Sequence, residues 1–529
     1  MRLLCLSLLV ACATEQERPK SPADIQSESG QPTEQPSEQE DADELEDDPE
    51  EGPEDEQDPE EAEENEDFEE PLGAPIAVVT GPERVAVDDE ITLSAEKSHE
   101  PTGADIVSHE WQCDDGTTAQ GSTLTMMATE IGDIKCEVTV TSESGLNGSA
   151  SKKVAVREPV APWTVMVFIN GDNNLEDAGI EDINEMEAIG STEDVNVLVQ
   201  FDRAEGYTDA DGDWTGARRY RIEKGDTNGV DSPVLQDLGE VDSGAYETVV
   251  DFVAWSAENY PAQRYAIVFW NHGWSWYIGP NANRITKGVS DDEESGNSIS
   301  IAEGDLSQAL SEMNDILGHR LEIVGMDACI MQGWEMAHEA APYANYYVAS
   351  QDYEGWDGWE YTGFLSELVA NPDMQGDELG ESIARTFIET GDLSQSVIDL
   401  SLLSALEFHL DSLAQALIDG GDFSAYHQSA SRSYSYDGDW GVDHDLVGLL
   451  SGLKDRSEDP RVRNSANRAL ELLNSVIVSN YASDFISGAN GLSIYSPTED
   501  SWGFEQSYLS ASWADETLWD DMLKVIFNR

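Results

Sequence analysis

The sequence predicts an α/β protein: a three-layer α/β/α sandwich over a parallel sheet, preceded by a smaller all-β sandwich. Three observations lead there. From Trp163 onward, apolar runs of strand length alternate with amphipathic helical stretches, the pattern of a parallel sheet covered on both faces. Before it, residues 72–157 hold short alternating segments broken by Gly, Pro, Ser and Asp, the pattern of an antiparallel sandwich. Two of the later apolar runs end in reactive side chains: Tyr265-Ala-Ile-Val-Phe-Trp-Asn-His272-Gly273 and Leu321-Glu-Ile-Val-Gly-Met-Asp327-Ala-Cys329. In an open α/β sheet, ligands bind beyond the carboxyl ends of the strands.

The chain begins with Met1-Arg-Leu-Leu-Cys-Leu-Ser-Leu-Leu-Val-Ala-Cys12, one positive charge before a short apolar run, as in an export signal. Leu9-Val10-Ala11-Cys12 resembles a bacterial lipobox. That implies a signal peptide over 1–11, lipidation of Cys12, a membrane anchor, and a place in the bacterial envelope, on the outer membrane or the cell surface. Residues 12–71 are Glu, Asp, Gln, Pro and Ser with almost no large apolar side chains, so they read as an extended, solvated stalk. The formal charge of the 529 residues is -82; the stalk carries 27 acidic residues, which leaves 82 acidic and 24 basic residues in 72–529. A surface this acidic repels nucleic acid and anionic lipid, and suits divalent cations or cationic partners. No other run approaches the ~20 apolar residues of a spanning helix.

In 72–157 the strand candidates are Ile76–Val79, Val85–Val87, Ile91–Leu93, Ile106–Val107, Ile134–Val140 and Lys153–Val156. Through His109-Glu-Trp111-Gln-Cys113-Asp-Asp-Gly116 and the strand from Cys136, this stretch resembles a PKD or immunoglobulin-like domain. With that resemblance goes a disulfide between Cys113 and Cys136, in a compartment oxidising enough to keep it. A spacer is the favoured role, and a carbohydrate- or protein-binding module the alternative.

The α/β part, 160–529, reads in order as strand Val165–Asn170, helix Leu175–Ile189, strand Val195–Phe201, helix Tyr246–Asn259 and strand Tyr265–Trp270. There follow helix Leu306–Leu317, strand Leu321–Met326, helix Met331–Ala341 and strand Tyr346–Ser350. Beyond about 361 the chain is mostly helical (402–419, 444–457, 462–479), with short strands at Val397–Leu400 and Leu492–Tyr495.

Of the five cysteines, Cys5 and Cys12 belong to the leader and Cys113 and Cys136 to the small β-rich segment, so Cys329 alone has no structural task. A cysteine and a histidine brought to one sheet edge are the layout of a thiolate nucleophile with its base. The competing reading is a buried cysteine and a hydrogen-bonded strand-end histidine.

Asn271-His272-Gly273, Asp327-Ala328-Cys329-Ile330-Met331, the opening Trp163-Thr-Val-Met-Val-Phe-Ile-Asn-Gly-Asp172-Asn-Asn-Leu175 and Gly358-Trp359-Glu360-Tyr361 together resemble the clostripain family of cysteine peptidases, of the caspase-like clan. The resemblance covers about 160 to 500. It implies Cys329 as nucleophile, His272 as general acid/base, and the backbone N–H groups of Gly273 and Cys329 as an oxyanion hole. It implies cleavage after Arg or Lys, which needs a carboxylate in the pocket, since a desolvated guanidinium must be paired. Asp327 lines the site in the family; a hydrogen-bonding strand-end carboxylate is the equal alternative. For the pocket floor the first choice is Asp357, with Asp352 and Glu354 as rivals, all in a loop with tryptophans for walls. Relatives are activated by cleavage between the two motifs, which here points to Arg284 or Lys287. The chemistry itself requires no cofactor. The archetype depends on calcium, and Asp209-Ala-Asp211-Gly-Asp213 offers alternating carboxylates in a turn.

The sequence thus reads as a lipid-anchored, self-processed cysteine endopeptidase acting on peptides and proteins at Arg or Lys. A catalytically silent surface binding protein on the same fold is the alternative. A relative with Asx specificity is a third, disfavoured because the pocket loop shows only acids.

Overall fold

The computed structural model describes residues 74–527 apart from 83, 102–104, 158, 279–286, 437–441 and 499–504. The signal peptide over 1–11, Cys12, the stalk and Arg284 lie outside the described residues. The chain divides after Pro159 into two units, each with its own core.

In the smaller unit, strands Arg84–Ala86, Asn147–Arg157, Gly132–Ser142, Ile106–Cys113 and Thr118–Gln120 form one sheet in that order, and Glu90–Ser94 pairs with Thr123–Met127 in a second. Exposure alternates along Glu90–Ser94 and through the middle of Gly132–Ser142, which buries Ile91, Leu93, Val138 and Val140 with Trp111, Leu124 and Val154. This two-residue period is why short, half-polar runs fold as strands. Cys113 and Cys136 stand opposite one another on neighbouring antiparallel strands and form the disulfide. Ile76–Val79, expected as a strand, joins no sheet: isolated bridges of Ile76 to His99 and of neighbouring Thr80 to Ser94 hold it, with the Ser98 hydroxyl bonded to the Val78 backbone. Pro75 and Pro82 flank it and have no N–H to extend a ladder.

In the larger unit a nine-stranded sheet runs in the order Val234–Gly239, Ala217–Arg221, Val195–Arg203, Ala161–Gly171, Ala262–Trp270, Leu321–Asp327, Ala344–Ala349, Ser394–Asp399, Ile477–Ala482. The five central strands, from Val195–Arg203 to Ala344–Ala349, are parallel. The four flanking strands are antiparallel, so the expected parallel sheet forms the centre of a mixed one. Alternation splits the side chains between two cores. Trp163, Val165, Val167 and Ile169 join Ile180, Ile183 and Met186 of helix Glu176–Ile189 and Phe364 and Leu368 of helix Tyr361–Ala370. Met166, Phe168, Ile267 and Phe269 join helices Tyr246–Asn259 and Asp305–Leu317 and the C-terminal helices Leu403–Gly420, Leu446–Arg456 and Pro460–Val476.

Three misreadings have local causes. Ala217–Arg221 is too basic to read as a strand, but Arg219 is bonded by Gln200 and Asp251. The helix expected to run to 479 ends at Val476, and Ile477–Ala482 closes the sheet instead. The helix expected from Met331 starts at Trp334, because Ile330 is left-handed (φ 52°) and Gln332 donates its N–H to Ser350.

Candidate active site

The five parallel strands lie in the order second, first, third, fourth, fifth by sequence. The direction of winding reverses between the first and third, and that reversal opens a crevice at the carboxyl ends. His272 stands two residues past the end of Ala262–Trp270, and Cys329 two residues past the end of Leu321–Asp327. The parallel register pairs Trp270 with Asp327, so equal offsets carry the two residues to the same edge. The Asn271 N–H donates to the Asp327 carbonyl at 3.2 Å and ties the two segments together beyond the last strand pair.

Gly273 is required by space. A Cβ there would lie 2.2 Å from the Cys329 carbonyl oxygen and 3.0 Å from the Ala328 Cβ. The close approach that glycine permits is therefore between the histidine and cysteine segments themselves, in addition to any approach of substrate.

His272 and Cys329 line one cleft, with Leu175, Ala178, Trp270 and Trp356 as its apolar walls. His272 is 7% exposed, and burial pushes its pKa down to about 4. It is therefore neutral at physiological pH. Its Nε2 lies 2.8 Å from Asn174 Oδ1. The Glu354 N–H donates to Cys329 Sγ at 3.3 Å. The turn that presents Cys329 continues into left-handed Ile330, a conformation a β-branched residue adopts only under strain. Ile330 N–H to Asp352 carbonyl, 3.0 Å, holds it there.

Two buried carboxyl groups also line the cleft, Asp327 (4% exposed) and Glu354 (5%). Asp327 accepts from the Tyr361 hydroxyl at 2.8 Å and from the Trp359 N–H. Burial pushes Asp327 up to about 7, with the Tyr361, Trp359 and Glu354 donors partly offsetting it. Burial, then the charges of Asp327 and Asp392, hold Glu354 well above its ordinary range. Behind them Asp182, on helix Glu176–Ile189, accepts from the Trp270 indole and is raised by burial and by Asp327. A Cβ on left-handed Gly358 would lie 3.2 Å from both Asp182 Oδ2 and Asp327 Oδ1. Burial and mutual proximity thus favour the neutral form of these acids in the empty cleft.

The other expected residues fall elsewhere. Asp357, the first choice for the pocket floor, is exposed and is not among the residues lining the cleft. The chain turns outward at Trp356 and Asp357, and only Trp359 and Tyr361 turn back onto Asp327. Asp352 is buried behind the cleft, bonded by the Tyr434 hydroxyl. Lys287 opens strand Lys287–Asp292. Asp211 accepts from the Trp214 indole and the Val230 N–H, and Asp209, Asp211 and Asp213 are not a converging set among the described residues. Among the described residues the carboxylates that do converge are Asp172, Glu240 and Asp292, with ligand oxygens within 4.8 Å of one another. Burial and Asp292 push Asp172 up to about 7. The three carboxylates offer three hard oxygen donors, of the about six to eight that a calcium ion takes.

Asn174 and Asp182 carried signals that went unread. Asn174 sits in a polar run directly after the first strand, and Asp182 stands between Ile180 and Ile183 on the buried face of its helix.

Residues 167–525 match the clostripain family, and residues 73–157 match the PKD domain. Clostripain from Hathewaya histolytica is 24% identical over 399 residues, 64% of this chain and 75% of that protein. An inactive zymogen C11 protease from Parabacteroides distasonis is similar at 19% identity and a TM-score of 0.51, over 68% of this chain and 99% of that one. A secreted C11 cysteine protease from Bacteroides thetaiotaomicron, iotapain, is similar at 17% identity and a TM-score of 0.51, over 69% of this chain and 99% of that one. At these identities the two structures speak to the fold alone.

Proposed function

Since the chain belongs to the clostripain family and is a cysteine-type peptidase, we propose that Cys329 and His272 are its catalytic dyad and that it cuts peptides after Arg or Lys. The observation that carries this reading is one cleft lined by both residues and by the buried carboxyls of Asp327 and Glu354. Among the described residues no Lys or Arg side chain figures in the electrostatics of Asp327, Glu354 or Asp182. A substrate cation would supply what they lack.

Neutral His272 takes the Cys329 thiol proton, and Sγ attacks the scissile carbonyl carbon. The C–S bond forms as the carbonyl becomes an oxyanion, which the Gly273 and Cys329 N–H groups receive. The oxyanion collapses, the C–N bond breaks, and His272 gives its proton to the leaving amine. Water, deprotonated by His272, then attacks the thioester; the C–S bond breaks and the thiol is restored.

The test is turnover of fluorogenic peptides ending in Arg, Lys, Asn or Asp, with a thiol reductant present. Arg and Lys peptides are expected to turn over, and Cys329→Ala and His272→Ala to lose at least ~10³-fold in kcat. Equal turnover on Asn or Asp peptides, or retained activity in Cys329→Ala, would sink the reading.

We place the protein outside the cytoplasm or at the cell surface, since a family relative is described as secreted. The Leu9–Cys12 motif adds a lipid anchor at Cys12. Partition of the expressed protein into detergent is expected to be lost in Cys12→Ser; unchanged partition would remove the anchor.

Calcium, the cofactor the resemblance suggests, would be held by Asp172, Glu240 and Asp292. There it would neutralise crowded carboxylates and pin the loop after the first strand to strand Lys287–Asp292. Millimolar calcium is expected to raise the melting temperature over chelator, and Asp292→Asn to abolish the difference. A calcium shift that survives Asp292→Asn would place the ion elsewhere.

A further inference from the structure

Asn174 stands beyond the carboxyl end of the first parallel strand, across the crevice from the segment that carries His272. An amide oxygen only accepts, so the 2.8 Å contact from Nε2 to Oδ1 puts the imidazole proton on Nε2. Nδ1 is then the nitrogen with the lone pair. It is buried and has no hydrogen-bond partner among the described residues, while the ring it belongs to lines the cleft with Cys329. A ring nitrogen left bare at that depth costs stability unless it has a task.

The loop bearing Asn174 is built to keep its place. Asn170 Oδ1 accepts the Asp172 N–H at 3.1 Å, and Asn173 Oδ1 accepts the Leu175 N–H at 2.9 Å. The Asn173 amide donates to the Asp291 carbonyl at 2.8 Å. The Asn271 amide, one residue before His272, donates to the Asn170 carbonyl, and its oxygen accepts the Asp291 N–H at 2.9 Å. The loop before Asn174 and the residue before His272 are thereby tied to the same strand, Lys287–Asp292.

We propose that Asn174 is a positioning residue of the dyad: it fixes His272 as the Nε2–H tautomer and leaves Nδ1 to exchange the proton with the Cys329 thiol. The proposal rests on the dyad reading above. Asn174 does not touch the reacting atoms; it acts through the imidazole, as the third group that orients a base.

The experiment compares the full chain with Asn174→Ala, Asn174→Leu and Asn174→Asp. Asn174→Ala and Asn174→Leu are expected to lower kcat on the order of 10²-fold with KM little changed, because orientation of the base acts on the chemical step. Asn174→Asp keeps an acceptor at the same reach and is expected to recover most of that loss. In ¹⁵N-histidine spectra, with 8 histidines to resolve, the His272 proton should sit on Nε2 in the native chain and be shared between the nitrogens in Asn174→Ala. Native kcat in Asn174→Ala, no recovery in Asn174→Asp, or an unchanged His272 spectrum would overturn the proposal. An inactive native chain, or an active Cys329→Ala, would instead overturn the dyad reading, and the spectra would still report on the Asn174 bond.

Discussion

Gly273→Ala is expected to reduce kcat by at least ~10²-fold while the chain still folds. The added methyl carbon would lie 2.2 Å from the Cys329 carbonyl oxygen and 2.9 Å from the Met331 Cγ. Met331 can move aside; a backbone carbonyl anchored in a strained turn cannot. The histidine and cysteine segments must therefore separate, and a shift of about 1 Å between reacting groups costs about 10²-fold. Overpacking of this kind lowers stability by about 1–3 kcal/mol, which leaves a folded protein to assay. Native kcat in the alanine variant would mean that the two segments are not held at the distance seen here, and the shared-cleft geometry would fail with it.

Asp327→Asn is expected to lower kcat/KM on Arg and Lys peptides by the equivalent of about 2–5 kcal/mol, the cost of removing one partner of a buried charge pair. Peptides with an uncharged residue at that position should change far less. The pH dependence follows from the direction of the shift. Burial raises Asp327 from 3.8 to about 7, so the free enzyme is protonated there below neutrality and cannot pair with a cation. Uptake of a basic substrate should improve as pH rises through 7, seen in kcat/KM; in kcat, where the bound cation already holds the carboxylate ionised, that limb should move to lower pH. Stability runs the opposite way. A raised pKa contributes stability that is complete below the unfolded value and lost as pH rises through the folded one. The native melting temperature should therefore fall between about pH 4 and 7 and level off above, and fall less in Asp327→Asn. A flat native profile, or basic peptides cut equally well by the variant, would remove Asp327 from the pocket.

The sequence made the meeting of His272 and Cys329 at one edge legible because it depends on local rules. Apolar runs of strand length end at Trp270 and Met326, and parallel strands deliver their carboxyl ends to one edge. The Trp270–Asp327 register is the long-range fact that makes the equal offsets meaningful. Choice of the acid was not legible in the same way. Asp357 lies in Gly355-Trp-Asp-Gly-Trp359 and reads as a pocket floor, but whether a loop residue is buried depends on which neighbours fold over it. Here Trp359 and Tyr361 turn inward onto Asp327 and leave Asp357 in solvent. The carboxylate cluster fails to show for a similar reason. Asp209, Asp211 and Asp213 are close in sequence, whereas Asp172, Glu240 and Asp292 meet from three separate segments. Of the antiparallel flanks, Val397–Ile398 showed as a strand, whereas Ala217–Arg221 did not, because it satisfies its arginines with partners from other elements, which no periodicity records.

The measurement that bears most directly on the central claim is covalent labelling. The full chain, reduced, is treated with a peptidyl electrophile ending in lysine, and the modified residue is located by tandem mass spectrometry. The expected result is a single adduct on Cys329, formed in proportion to loss of activity and suppressed in Asp327→Asn. Inactivation with the adduct on another residue, or persistent turnover in a chain fully labelled at Cys329, would contradict it.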